Sequence, residues 1–410
     1  MELPEKFSQI IHVKEPELEF GHGQICDHPK DGLYLYGPHS APDRNVAISV
    51  GVIGTSKGIG FLKTTLEKMS GFIEIPKPGL RDKEHRLHLS HFPGLTEAFG
   101  IFVEQDAIVE RTISQKSIED ATRNLNHHEA VRKAVDLYVS EIEHHNTNEE
   151  QEIDVWLLVL PEIIFERCKT LSKRTGVPLI KGDFGKKQRK PADVPLFQDV
   201  IDLSGEEIFQ DIPDFHRQLK ARLLGVGKTS QLVRETTLAP DEFLNKAGYP
   251  VRGLQDPATV AWNLATGLYY KTRPHPPWKL ISAREGVCYI GLVFKLIPNH
   301  PQHHACCAAQ MFLNEGDGLV FRGANGPWET RRNEFHLPPN KARELLRFWT
   351  PLLQSMGRLP KSFLFMGAQS LVMMSGMRFA KPAQKKLILF MCASKKHQAK
   401  RSYSGTGIIL

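Results

Sequence analysis

With 410 residues, 41% of them apolar, the chain can bury a sizeable core and divides into two or three domains of roughly 100 to 200 residues, which excludes disorder on a large scale. Lys+Arg 53 against Asp+Glu 46 leaves a net charge of +7, a balance that favours a polyanionic partner without requiring one. No apolar run reaches the ~18 residues of a spanning helix, Met1 to Lys6 lacks the features of a signal peptide, and six scattered cysteines form no CxxC pair; a cytoplasmic protein with no membrane segment and no disulfide framework is expected.

Along the chain, apolar runs at Val46 to Ile53, Phe99 to Glu104, Val155 to Leu160, Val177 to Ile180 and Ser230 to Arg234 read as strands, and amphipathic helices alternate with them in an α/β pattern. Ala130, Val131, Ala134, Val135, Tyr138, Val139 and Ile142 recur at helical spacing, and Asn126 with Glu129 has the spacing of a capping box. The segment Gly185-Lys186-Lys187-Gln188-Arg189-Lys190-Pro191 is too polar to pack in a core and reads as a solvent-facing basic loop. In Asp214 to Leu223, the residues Phe215, Leu219 and Leu223 form one apolar stripe, while His216 and Lys220 stack four apart on a neighbouring face. Gln231 follows near the start of the next strand, and Lys271 closes a helix that also carries Asn263. A terminal phosphate needs convergent donors and compensating positive charge, which His216, Lys220, Gln231 and Lys271 can supply. A domain boundary is expected near Arg273 to Pro277. Beyond it come long strands, first Val287 to Lys295, then a hairpin of Ala305 to Leu313 with Leu319 to Arg322 around the turn Asn314 to Gly318.

Three motifs point to other chemistries. Gly54-Thr55-Ser56-Lys57-Gly58-Ile59-Gly60 follows a strand and opens a helix, like the pyrophosphate turn of a nicotinamide oxidoreductase, but none of the eight tyrosines has a lysine four residues downstream to complete the proton-transfer pair of that class. The alternative is a plain strand-to-helix turn. Gly225-Val226-Gly227-Lys228-Thr229 resembles the end of a phosphate-binding loop, yet Arg222 stands where the first glycine belongs and the order is helix then strand; the glycines read instead as a helix C-cap. His300, His303, His304, Cys306 and Cys307 crowd together, but adjacent cysteines on a strand point to opposite faces, so a histidine-rich turn is expected here rather than a zinc site.

Over residues 15 to 361 the chain resembles the MID and PIWI domains of short prokaryotic Argonautes. The resemblance is carried by Phe20-Gly21-His22-Gly23-Gln24, by Asp31 to Pro38, by Gly51 to Thr55 and by the series His216, Lys220, Gln231 and Lys271. Tyr269-Tyr270-Lys271 with Pro277-Trp278-Lys279-Leu280, and Val320-Phe321-Arg322-Gly323 before Gly326-Pro327-Trp328, extend it. It implies an α/β fold in which a Rossmann-like MID domain, residues 31–274 after an extension of residues 1–30, precedes an incomplete RNase H-like PIWI domain, residues 275–361. It also implies that His216, Lys220, Gln231 and Lys271, with Asn263, bind the 5′ phosphate of a guide strand, RNA by preference, with Mg²⁺ at that phosphate as the one expected cofactor. The guide would pair with single-stranded target DNA and switch on an APAZ-containing effector of TIR, sirtuin-type or nuclease class, in defence against plasmids or phage. Slicing by this family needs a carboxylate tetrad holding two metals. Val293 stands at the first of those positions and Phe365-Met366-Gly367 holds no aspartate, so no catalytic activity is expected. The alternatives are a guide-directed metal-dependent nuclease with an atypical carboxylate set and a non-functional truncated remnant.

After Lys361 the resemblance stops. Codons compatible with Lys361 to Ala368 can be read one nucleotide earlier as a family-like strand and turn, so residues 362–410 are expected to be an aberrant tail produced by a frameshift, without the second half of PIWI.

Overall fold

The computed structural model describes residues 15–40, 45–77, 89–170, 172 and 213–281, together with the strands at 287–297, 300–312, 318–322, 328–329, 362–366 and 388–392. The basic loop Gly185 to Pro191, the strand expected over Val177 to Ile180, the turn residues Asn314 to Asp317 and most of the tail lie outside the described residues. The chain divides into two units, Phe20–Trp278, and Met1–Glu19 with Lys279–Leu410.

The unit Phe20–Trp278 is built on a four-stranded parallel sheet of β1 (Val50–Gly54), β2 (Val109–Thr112), β3 (Val155–Leu160) and β4 (Ser230–Arg234), in the order β2-β1-β3-β4. The inner strands β1 and β3 are buried at every position. A parallel sheet is covered on both faces, which is why these two strands read as continuous apolar runs rather than as alternation. The strand expected over Val46 to Ile53 is in fact divided. Val46–Ala47 pairs with Ile101–Phe102 in a separate sheet, and β1 begins at Val50. At the break Ser49 N donates to Asp154 Oδ2 (2.8 Å) and Ser49 O accepts from Asp154 N (3.0 Å), which hands the chain from one sheet to the other. The strand expected over Phe99 to Glu104 shrinks to Ile101–Phe102, because Phe99 ends a short helix, Leu95–Phe99, that Gly100 terminates in the left-handed conformation (φ 64°).

The helices that cover the sheet include, in sequence, α1 (Ser56–Ser70), α2 (His127–Asn148), α3 (Phe215–Val226) and α4 (Pro257–Thr272). The predicted stripe of α2 from Ala130 to Ile142 is buried. Tyr138 on it packs edge-on to Phe215 (centroids 5.4 Å apart), and its hydroxyl donates to Val159 O (2.8 Å), so the ring joins α2, α3 and β3. Asn126 caps α2 by accepting from His128 N (3.0 Å) and Glu129 N (3.4 Å). The reciprocal half of the capping box is replaced: Asn126 N donates to Asn124 Oδ1 (2.9 Å), while Glu129 binds Arg132 (2.9 Å) and lies 3.6 Å from Lys133. On α4, Asp256 caps the first turn through Thr259 N (3.0 Å), and buried Trp262 meets Phe92 and Phe99 edge-on. Burying a large side chain of this kind contributes about 1.5–3 kcal/mol.

The second unit holds an antiparallel pair, Leu18–Glu19 with Lys279–Leu280, and a mixed sheet. The sheet comprises β5 (Val287–Ile297), β6 (His300–Phe312), β7 (Gly318–Arg322), β8 (Trp328–Glu329), β9 (Ser362–Met366) and β10 (Ile388–Cys392). Its main path is β7-β6-β5-β9-β10, with β8 paired to β6. The expected hairpin is present as β6 and β7, antiparallel with Ala308 opposite Arg322. β9 runs parallel to β5 with Val287 opposite Ser362, and β10 runs parallel to β9. Val293 faces Ala308 across the ladder, beside a register shift. The histidine-rich turn is corrected: His300, His303 and His304 lie within β6, and Cys306 and Cys307 fall in mid-strand. Pairing with β5 already begins at Ile297 opposite His300, and this draws the histidines into the ladder. Among the described residues no helix is long and apolar enough to cross a membrane.

Candidate anion-binding site

The site forms where α3, the edge strand β4 and α4 meet. Asp214 caps α3 by accepting from Arg217 N (3.1 Å). The predicted stripe then docks the helix, since Phe215, Leu219 and Leu223 are all buried, and this turns Lys220 toward the first residue of β4. The Lys220 ammonium donates to Ser230 O and to Ser230 Oγ (2.9 Å). Gln231, next on β4, donates from Nε2 to Leu232 O (3.1 Å). On α4, Lys271 folds back so that Nζ lies 3.4 Å from Gly267 O. Gly267 brings the two sides together, because a Cβ built on it would stand 3.3 Å from Gln231 Oε1 and 3.8 Å from Lys271 Nζ. The helix α3 ends at Gly227, in the left-handed conformation (φ 70°), with Gly225 inside the last turn, so of the two glycines only Gly227 is the cap.

The electrostatics of this cluster are unusual for surface lysines. Burial, and then the positive charge of Lys271, hold the Lys220 ammonium down at about 8, and burial also lowers Lys271. Both side chains are half-buried, and among the described residues no carboxylate pairs with either. His216 lies one turn before Lys220 at the exposed edge. Partial burial of its ring, then the charge of Lys220, keep its imidazole below the usual histidine range, against the opposing effect of Asp214. Buried ammonium groups without a counter-charge are costly, and desolvation strengthens whatever anion they meet.

Gln231 and Lys271 therefore meet at Gly267, Lys220 lies within the field of Lys271, and His216 within that of Lys220. Asn263 stands apart. It shares a face of α4 with Gly267 and Lys271, but it is exposed, two turns or about 12 Å from Lys271, and bonded to Gln255 Oε1 (2.8 Å). Two members were not anticipated from sequence. Ser230 has no signal beyond adjacency to Gln231, whereas Gly267 is legible in retrospect as the middle of the four-residue series Asn263, Gly267, Lys271. Mg²⁺ takes oxygen ligands and draws many of them from phosphates and water; the protein oxygens beside the two ammonium groups are those of Gln231 and Ser230. The cluster presents ammonium groups, one carboxamide and one hydroxyl, and among the described residues no group of three or more His, Cys, Asp or Glu side chains is placed to hold a metal.

At the opposite end of the sheet, the glycine-rich turn is the strand-to-helix turn read as the alternative to a dinucleotide site. Thr55 Oγ1 accepts from Gly58 N (3.0 Å) and donates to Glu235 Oε1 (2.7 Å). A Cβ on Gly58 would stand 2.7 Å from Glu235 Oε1. The N-terminus of α1, the place where a pyrophosphate would sit, is thus taken by the chain's own carboxylate. Beside it Arg234 pairs with Glu162 and stacks on Phe165 (3.6 Å to the ring centroid), and Arg252 donates to Thr236 Oγ1 (3.0 Å) and to Thr237. These contacts tie the segment after β4 to the sheet.

No protein-family model matches the sequence, and no curated protein matches it. Among solved structures, the chain is similar to Clostridium butyricum Argonaute bound to a guide DNA and a target DNA, with a TM-score of 0.47 and 11% identity over 87% of this chain and 36% of that one. It is also similar to Marinitoga piezophila Argonaute in complex with 5′ OH guide RNA and target DNA, with a TM-score of 0.39 and 10% identity over 87% of this chain and 40% of that one. A third is Drosophila Piwi, with a TM-score of 0.36 and 10% identity over 87% and 34% of the two chains. The chain spans well under two thirds of the length of each of these proteins.

Proposed function

We propose that the chain is the nucleic-acid-binding subunit of a short prokaryotic Argonaute system, which holds the 5′-phosphorylated end of a guide and presents it to single-stranded target DNA without cutting. The observation that carries this reading is the pair Lys220 and Lys271: two half-buried ammonium groups, one lowered by the charge of the other, with no carboxylate pairing either among the described residues. A terminal phosphate carries about −1.5 to −2 charges at neutral pH and three acceptor oxygens. It offsets both ammonium groups and accepts from Gln231 Nε2, with His216 at the rim. Phosphate contacts position a strand, and base pairing supplies the specificity.

The parallel sheet β2-β1-β3-β4 supports a MID-type reading of the unit Phe20–Trp278. Three antiparallel strands, β5 to β7, followed by two strands parallel to β5, support an RNase H-like PIWI reading of the other. Lack of cleavage rests on Val293, which has no metal-binding atom, and on β9, whose sequence Ser362-Phe363-Leu364-Phe365-Met366 holds no carboxylate. A subunit that recognises without cutting needs a partner to act, and the resemblance assigns that part to an APAZ-containing effector in defence against plasmids or phage. The guide is RNA on the same ground.

The test is fluorescence anisotropy with one short strand carrying either a 5′ phosphate or a 5′ hydroxyl. Lys220→Ala and Lys271→Ala are each expected to weaken the phosphorylated strand by about 1.5 to 3 kcal/mol, the worth of a charged hydrogen bond, and to leave the hydroxyl strand nearly unchanged. Equal losses for both ends would reject the assignment.

A further inference from the structure

We infer that Gly267 is the positioning residue of the anion site: its missing side chain sets the depth at which the Gln231 carboxamide and the Lys271 ammonium lie side by side against the backbone of α4. The inference rests on the reading of this cluster as a phosphate cradle. Glycine is the least favourable helix-interior residue after proline, and Gly267 lies well inside the sixteen-residue helix Pro257–Thr272. No left-handed backbone requires it, since Gly267 is absent from the positive-φ glycines. What sets the position apart is its neighbours. Beyond the backbone of its own helix, an added Cβ would first meet Gln231 Oε1 at 3.3 Å, Lys271 Nζ at 3.8 Å and Gln231 Cδ at 3.9 Å.

Both neighbours belong to the site, and neither is free to yield without consequence. The Gln231 carboxamide is held by its bond to Leu232 O (3.1 Å), on a strand fixed by pairing with β3, Leu157 opposite Gln231. Lys271 leans on the carbonyl of Gly267 itself (3.4 Å). A methyl group at 267 is closer to the carboxamide oxygen than an ordinary van der Waals contact, so Gln231 must give way by a few tenths of an ångström, whereas Lys271 Nζ at 3.8 Å stays in ordinary contact. The backbone, by contrast, accepts alanine more readily than glycine. Fold stability and anion binding should therefore respond to this substitution in opposite directions, which a packing role would not produce.

The experiment compares wild type, Gly267→Ala, Gln231→Ala and the double variant, using the 5′-phosphorylated and 5′-hydroxyl strands and a thermal melt of each protein. Gly267→Ala is expected to lower the preference for the phosphorylated end by about tenfold, the loss of one charge-assisted hydrogen bond, with a melting temperature equal to or above wild type. Because the methyl acts through Gln231, the double variant is expected to bind no more weakly than Gln231→Ala alone. If wild type prefers the phosphorylated end and Gly267→Ala keeps that preference within about twofold, or if the two substitutions add, the inference is overturned while the phosphate reading stands. A melting temperature well below wild type also overturns it, by making Gly267 a packing residue. If wild type itself shows no preference, the phosphate reading falls and takes this inference with it.

Discussion

The position of the Lys220 ammonium, held at about 8 by burial and by Lys271, makes a pH experiment sharp. A free site with that value is about 90% protonated at pH 7 and about 3% protonated at pH 9.5. A bound phosphate raises the ammonium's proton affinity, so above pH 8 the complex must take up a proton, and the preference for a phosphorylated end falls about tenfold per pH unit. Between pH 7 and 9.5 the ratio of the dissociation constants of hydroxyl and phosphorylated strands should drop by about thirtyfold. The phosphate itself contributes nothing across this window, because its second ionisation lies near 6. Burial and the charge of Lys220 lower His216, which moves its titration away from this window toward acid. Lys271, also lowered, adds to the same trend. The assay is anisotropy at constant ionic strength, with the ratio cancelling every group that treats both strands alike. Lys220→Arg keeps its charge at all these pH values and should lose most of the dependence. A ratio that stays flat in wild type, or that falls as steeply in Lys220→Arg, would refute the reasoning.

The same group bears on the stability of the unliganded protein. Its pKa is lower in the fold than in the unfolded chain, so the unfolded chain binds more protons between about pH 8 and 10.5. The penalty is therefore fully present below that window and relieved as pH rises through it. Lys220→Met should stabilise the free protein at pH 7 by about 1 to 2 kcal/mol in urea titrations, since the full shift is worth about 3 kcal/mol and solvent screening of the partly exposed head removes roughly half. It should also weaken the phosphorylated strand. At the other end of the sheet, Thr55→Val removes both the cap on Gly58 N and the donor to the buried Glu235 carboxylate; urea denaturation should show a loss of about 1 to 3 kcal/mol, with the end preference unchanged.

The parts of the fold legible in sequence are those set by local pattern. Val155–Leu160 and Ser230–Arg234 are strands over the expected residues, because a continuous apolar run and a bounded β-rich run each carry their own signal. The stripes of α2 and α3 are buried as their spacing predicts. The errors come from partners distant in the chain. Asp154 divides the strand expected from Val46, and β5 captures the histidines of β6. Nearby competition matters as well, since Arg132 and Lys133 take the Glu129 carboxylate that a capping box would use. In the site, the four-residue spacing of His216 and Lys220 was readable, but the meeting of Lys220 with Ser230 and of Gln231 with Gly267 is made by docking two helices on one edge strand. The resemblance put Asn263 among the candidates; the structure leaves it two turns from Lys271 and bonded to Gln255. The glycine-rich turn failed as a cofactor site for a similar reason, since Glu235, far along the chain, fills it.

The measurement that bears most directly on the central claim is the binding of one guide-length strand to the unmodified protein in its 5′-phosphorylated and 5′-hydroxyl forms, with Mg²⁺ or Mn²⁺ and a matched target strand present. The phosphorylated form is expected to bind more tightly by at least about tenfold, the worth of one charged hydrogen bond, with both strands recovered whole. Equal affinity for the two ends, or metal-dependent scission of the matched strand, would contradict it.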